Sequence, residues 1–193
     1  MSTATVITAQ RYSQGFTYEA YLNQLSDTRQ RFAEHEAAFL LASTDAQFFK
    51  DTLRRFGNIN VVAIVEDWCP DVHRGLPIMA AIAQASGMHM RVFPREKNLD
   101  IMNLYLNQGK FMSIPVFAFF DQNLNPLCHW IERPKMATRF MEQIASELAK
   151  EKLGVEELRQ EMRKRSQPMA DSWRQETVKE LRELFTKIQP AVK

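Results

Sequence analysis

The chain has 193 residues, 45% of them hydrophobic and 25% charged, with a formal net charge of +2. That length supports one sizeable core and is short for two independent domains, so one α/β domain with appended segments is expected. The small charge, with no cluster of Lys and Arg interleaved with aromatics, argues against nucleic acid, and no run approaches the roughly 18 apolar residues of a membrane span. Residues 1–14 lack the basic start and apolar core of a signal segment, so the cytoplasm is the expected compartment. Two cysteines, Cys69 and Cys128, and four scattered histidines, His35, His73, His89 and His129, form neither a disulfide framework nor zinc-ligand spacing. Neither a metal nor a cofactor is expected.

Residues 1–15 are polar and include Gly15, and are expected to be loosely held. From Thr17 the pattern turns helical. Tyr18, Tyr21, Leu22 and Leu25 mark one face, and Phe32, Ala33, Ala37, Leu40 and Leu41 continue it at three- and four-residue spacing. Ser43 and Thr44 ahead of Asp45 give an N-cap signal for the next helix, with Phe48, Phe49, Leu53 and Phe56 on its buried side and Gly57 at its end. Residues 59–65 are nearly all apolar and rich in β-branched types, as a strand buried on both faces should be. Pro70 sits where a helix best tolerates it, in the first turn, and Leu76, Ile78, Met79, Ala80, Ile82 and Ala83 carry that helix to Gly87.

Residues 88–93 alternate as a strand, residues 99–106 read as a short helix stopped by Gly109, and Pro115 opens a strand over residues 116–120. Turn chemistry at residues 121–126 makes residues 127–131 the returning arm of a hairpin, and Pro134 starts a helix through Lys150. Past Gly154 come Val155, Leu158 and Met162, then Gln167-Pro168, then Trp173, Val178, Leu181, Leu184 and Phe185, which read as two helices with a Pro-marked joint. Their apolar stripe reads first as an intramolecular packing face and second as a surface for homodimer formation. Acids and bases mix along it, unlike a basic membrane-surface helix.

Between the first strand and its helix lies Trp68-Cys69-Pro70-Asp71-Val72-His73. This stretch resembles the active site of the thioredoxin family, Trp-Cys-x-x-Cys followed by a basic residue. Ser113-Ile114-Pro115-Val116 resembles the segment carrying that family's cis-proline, and the β-α-β-α-β-β-α order over residues 59–150 is similar to its core. The resemblance implies an α/β thioredoxin-like fold, a central mixed sheet flanked by helices. Residues 1–57 would then be a helical segment packed on the core, residues 58–150 the core itself, and residues 151–193 a C-terminal helical extension. It further implies Cys69 as nucleophile, with Trp68, Pro70, Ile114 and Pro115 contacting the substrate. Two letters depart from the family pattern: Val72 stands where the second Cys belongs, and Ala63 where thioredoxins carry a buried Asp that assists proton transfer. Cys128, in the last strand, reads as a core cysteine. The Gly-rich turn that cradles glutathione in a monothiol glutaredoxin is missing, so no iron–sulfur role is implied.

A thiolate at a helix N-terminus gains about 1 to 2 kcal/mol from unpaired backbone N–H groups and the helix dipole, roughly one pKa unit. His73, four residues on, reads either as a thiolate partner that lowers the thiol pKa further when protonated or equally as a solvated helix residue, and Asp71 is expected to oppose the lowering. A partly ionised thiol near neutral pH is the expectation. Two functions follow. In the first, the protein is a monothiol thiol-disulfide oxidoreductase acting on a protein or low-molecular-weight disulfide, with an external thiol as reductant. In the second, it is a redox-inactive thioredoxin-fold binding or scaffold protein.

Overall fold

The computed structural model describes residues 6–189. The fold is built on a four-stranded sheet of order β2-β1-β3-β4, from β1 (Asn60–Val65), β2 (His89–Pro94), β3 (Val116–Phe120) and β4 (Pro126–Ile131). Strand β1 runs parallel to β2 and antiparallel to β3, which pairs antiparallel with β4, so the sheet is mixed. All six residues of β1 and all five of β3 are buried, which is why both read as continuous apolar runs without alternation. Helix α5 (Pro70–Ser86) makes the β1-to-β2 crossover, and Gly87 ends it with a left-handed φ of 88°.

Ahead of β1 lie α1 (Ala9–Ser13), α2 (Tyr18–Leu22), α3 (Arg29–Ala37) and α4 (Ser43–Phe56). The N-terminal segment is more firmly held than its polarity suggests. Residues 1–5 lie outside the described residues, but Ile7 is buried, and Phe16 exchanges backbone hydrogen bonds of 2.9 and 2.8 Å with Val92 on the outer edge of β2. Gly15 is required there, because a Cβ would lie 2.6 Å from the Phe93 ring. The single face expected from Thr17 to Leu41 is broken between α2 and α3, and Leu40 is exposed. Ala42, not Ser43, caps α4, without a side-chain hydrogen bond.

Beyond β2, helix α6 (Leu99–Met102) is shorter than its apolar pattern. The following residues tighten into turns, Leu104 bonding back to Ile101 and Tyr105 to Met102, before an Asn107–Phe111 bridge. After β4 come α7 (Lys135–Leu148), α8 (Val155–Ser166) and α9 (Ala170–Lys187), with a 3₁₀ turn at Gln167–Met169 where Pro168 marks the joint. The α9 stripe is spent on the chain's own core: Trp173, Val178, Leu181 and Phe185 are buried, and Phe185 meets the rings of Phe119 at 4.9 Å and Phe49 and Phe56 at 6.3 Å.

Candidate active site

Cys69 is the N-cap of α5, placed where β1 ends and the turn at residues 66–68 closes with Cys69 N–H donating to the Glu66 carbonyl. Pro70 takes the first helical position, where its missing N–H costs nothing, and Asp71 in the first turn suits the positive helix end. The Ile114–Pro115 peptide is cis, and the Ile114 carbonyl oxygen lies 3.7 Å from the Cys69 Sγ. Gly75 allows this approach of loop to helix, since a Cβ there would come 3.1 Å from the Pro115 ring. Trp68 is half exposed beside the thiol, with the Arg95 guanidinium 5.2 Å over its ring, and Arg95 also donates to the Met112 carbonyl. Cys69, Trp68, Pro70, Ile114 and Pro115 therefore share one corner, flanked by half-exposed Phe111 and Met112.

The thiol is less ionised than the helix N-terminus alone predicts. Burial pushes the Cys69 pKa above its ordinary value, and the backbone N–H groups of Val72 and Asp71 and the charge of Arg133 only partly offset this. Only 8% of the residue is exposed, so desolvation of the anion outweighs the dipole. His73 is a second correction. Its ring is buried edge-on against Phe32 at 5.0 Å, Nε2 bonds the Asp67 carbonyl, and burial lowers its pKa, so it offers no positive charge to the sulfur. The four-residue spacing misleads because Cys69, with ψ of 120°, is not yet helical and does not share the helix face of His73.

Asp71 faces two arginines instead of standing free beside the thiol. Its carboxylate oxygens lie 2.8 Å from Arg74 and 2.7 Å from Arg133, and although burial pushes its pKa up, both guanidiniums oppose the push. Arg133 also pairs with Glu132, whose other oxygen accepts from Asn107 at 3.0 Å, and Asn107 reaches Ser113 at 3.2 Å. A continuous polar chain thus runs from α5 to the loop preceding Pro115. Glu132 adopts a left-handed φ of 70°, and its N–H donates to the Pro115 carbonyl at 2.7 Å. Helix α9 braces this corner: Glu180 accepts from the Trp130 indole at 2.8 Å and the Lys135 N–H at 2.7 Å, and Arg74 lies 4.9 Å over the Trp173 ring. Local spacing gave no signal for Arg133, which reaches Asp71 only through the β3–β4 hairpin.

Among the described residues no second sulfur stands at position 72 and no buried acid at position 63 to serve Cys69. Val72 and Ala63 are fully buried, the latter between Val92 and Phe117 on the neighbouring strands. Cys128 pairs with Phe119, five positions along the chain from Ile114, roughly 16 Å at strand rise. Burial pushes its thiol up to about 12. Among the described residues no group of three or more His, Cys, Asp or Glu could hold a metal, and no helix is long and apolar enough to cross a membrane.

A family model described as Thioredoxin matches residues 15–150. The chain belongs to the thioredoxin-like superfamily. A crystal structure of a Pseudomonas aeruginosa protein of unknown function is similar at a TM-score of 0.65 and 14% identity, over 93% of this chain and 98% of that one. An HIV epitope scaffold is similar at 0.62 and 14%, over 92% and 96%. At these identities the likeness is one of fold. No curated protein matches the chain.

Proposed function

We propose that this thioredoxin-like protein is a thiol-disulfide oxidoreductase working through Cys69 alone. The observation that carries the reading is the Cys69 Sγ at the N-terminus of α5, 3.7 Å from the carbonyl that precedes Pro115, with half-exposed Trp68 alongside. The thiol gives its proton to solvent, and the thiolate attacks one sulfur of a protein or low-molecular-weight disulfide. A Cys69–substrate S–S bond forms, the substrate S–S bond breaks, and the second substrate sulfur leaves as a thiolate that takes up a proton. With Val72 in place of a resolving cysteine, two equivalents of an external thiol finish the cycle. The first displaces the substrate thiol, the second displaces Cys69, and the pair departs as its own disulfide. Because burial favours the protonated thiol, ionisation limits the attacking step, and the rate rises with pH through the thiol pKa.

The same burial, with Ala63 and Val72, supports a second reading, a redox-inactive binding protein of the same fold. Purified protein and Cys69→Ser separate the two when incubated with a mixed disulfide and excess reducing thiol. Exchange accelerated by the parent and lost in the folded variant supports the oxidoreductase. Equal rates in both leave the binding reading.

A further inference from the structure

We propose that Arg133, and not His73, is the charged side chain that stabilises the Cys69 thiolate alongside the helix N-terminus, with Asp71 setting how much of its positive charge the sulfur feels. The inference rests on Cys69 acting as a thiolate, and it concerns how that site is tuned. Two contacts hold Arg133 in the corner of the thiol, and one of its donors is left free there. The residue before it, Glu132, donates its N–H to the Pro115 carbonyl at 2.7 Å, one peptide from the Ile114 carbonyl that sits 3.7 Å from Sγ. The Arg133 guanidinium lies 2.7 Å from the carboxylate of Asp71, the second residue after Cys69. Its Nε is buried and has no hydrogen-bond partner, leaving one donor of the fork uncommitted.

The charges around the sulfur make Arg133 the one that matters. On α5 these are Asp71 and Arg74, which pair with each other at 2.8 Å, the guanidinium of Arg74 lying over Trp173. From the corner after β4 come Glu132 and Arg133. On the turn before Cys69, Glu66 is committed to the Glu96 N–H and Asp67 to Thr28, and Arg95 covers Trp68. His73 turns to the Asp67 carbonyl. Within the ion-paired cluster that holds Asp71, two acids and two arginines balance, and a thiolate beside it adds a further negative charge. A buried cluster with compensated charge responds strongly when one member is removed, because screening by solvent is weak there.

The test is the thiolate titration of Cys69, followed by thiolate absorbance and by alkylation rate against pH in the full chain, with Cys128→Ser as background. Neither readout requires a disulfide substrate, so failure here is distinct from failure of the oxidoreductase reading. Arg133→Gln should raise the Cys69 pKa by about one unit, a tenfold lower thiolate fraction at a pH below it, and Arg133→Lys should restore most of the shift. Asp71→Asn, which removes one of the two carboxylates paired with Arg133 and leaves Glu132, should move the pKa down, and gives an independent answer if Arg133→Gln does not fold. Folded Arg133→Gln within about 0.3 unit of the parent, or Asp71→Asn without a downward shift, overturns the proposal.

Discussion

Phe185→Ala should destabilise the whole domain, although the residue lies in what the sequence presents as a terminal extension. The ring is fully buried and meets Phe119, Phe49 and Phe56 edge-on at 4.9, 6.3 and 6.3 Å, so it joins β3 to α4. Truncating a buried Phe costs about 3–5 kcal/mol through lost transfer free energy and residual cavity, and loss of three edge-to-face pairs places this site at the upper end. About 4 kcal/mol is a large share of a total stability on the order of 5–15 kcal/mol, and at about 2–4 °C per kcal/mol the melting temperature should fall by roughly 8–16 °C. Urea unfolding followed by far-ultraviolet circular dichroism gives the loss from the shift in midpoint at constant slope. Phe111→Ala, at a half-exposed ring, is the control and should lose far less. A Phe185→Ala loss below about 1 kcal/mol at unchanged slope would refute the claim that α9 completes the core.

Three further outcomes are expected. His35 is held to a pKa of about 4 by burial, helped by Arg74 and Arg174, so the unfolded chain takes up its proton first as pH falls. Stability from this group is complete above about 6.5 and is lost as pH falls toward 4, on the order of 2 kcal/mol, and His35→Gln should remove that part of the dependence in urea melts at pH 7 and 4.5. Val72→Cys puts a second sulfur where the Val72 N–H already acts on Cys69, and should form an intramolecular disulfide under mild oxidation, read as two protected thiols by alkylation and mass spectrometry. Two free, alkylatable thiols would contradict the loop geometry. Gly15→Val forces a side chain into the Phe93 ring and the Arg91 Cβ, and should cost about 1–3 kcal/mol in thermal melts, whereas a neutral result would mean the N-terminal bridge is dispensable.

The central strands and the active-site helix were legible because their signals are local. An apolar β-branched run precedes Cys69, Pro70 opens the helix and Gly87 closes it, and the turn residues at 121–126 define the hairpin. What escaped depends on contacts between distant positions. The largely polar residues 6–15 conceal a buried anchor, Ile7, the close packing of Gly15 on Phe93, and a backbone bridge from Phe16 to a strand that begins more than seventy positions on. Helical spacing assigned His73 to the thiol, although an N-cap residue does not obey that spacing, and it had no means of finding Arg133 across a hairpin. The apolar letters of residues 99–106 describe burial only in part, with Ile101, Met102 and Tyr105 inside and Leu99 exposed, and one helical turn and a series of tight turns achieve it.

Closing the core from α9 also sets an order on synthesis. Arg55 of α4 donates to the Phe185 carbonyl 130 positions downstream, and the rings of Phe49 and Phe56 lie against Phe185. At roughly 5–20 residues per second, those aromatics wait roughly 7–26 s after leaving the ribosomal catalytic centre before their cover is made. Over that interval an aromatic surface on α4 faces solvent and other nascent chains. The face of α4 that α9 covers is thus the last part of that helix to be sheltered, although α5, which follows it closely, packs on α4 much sooner.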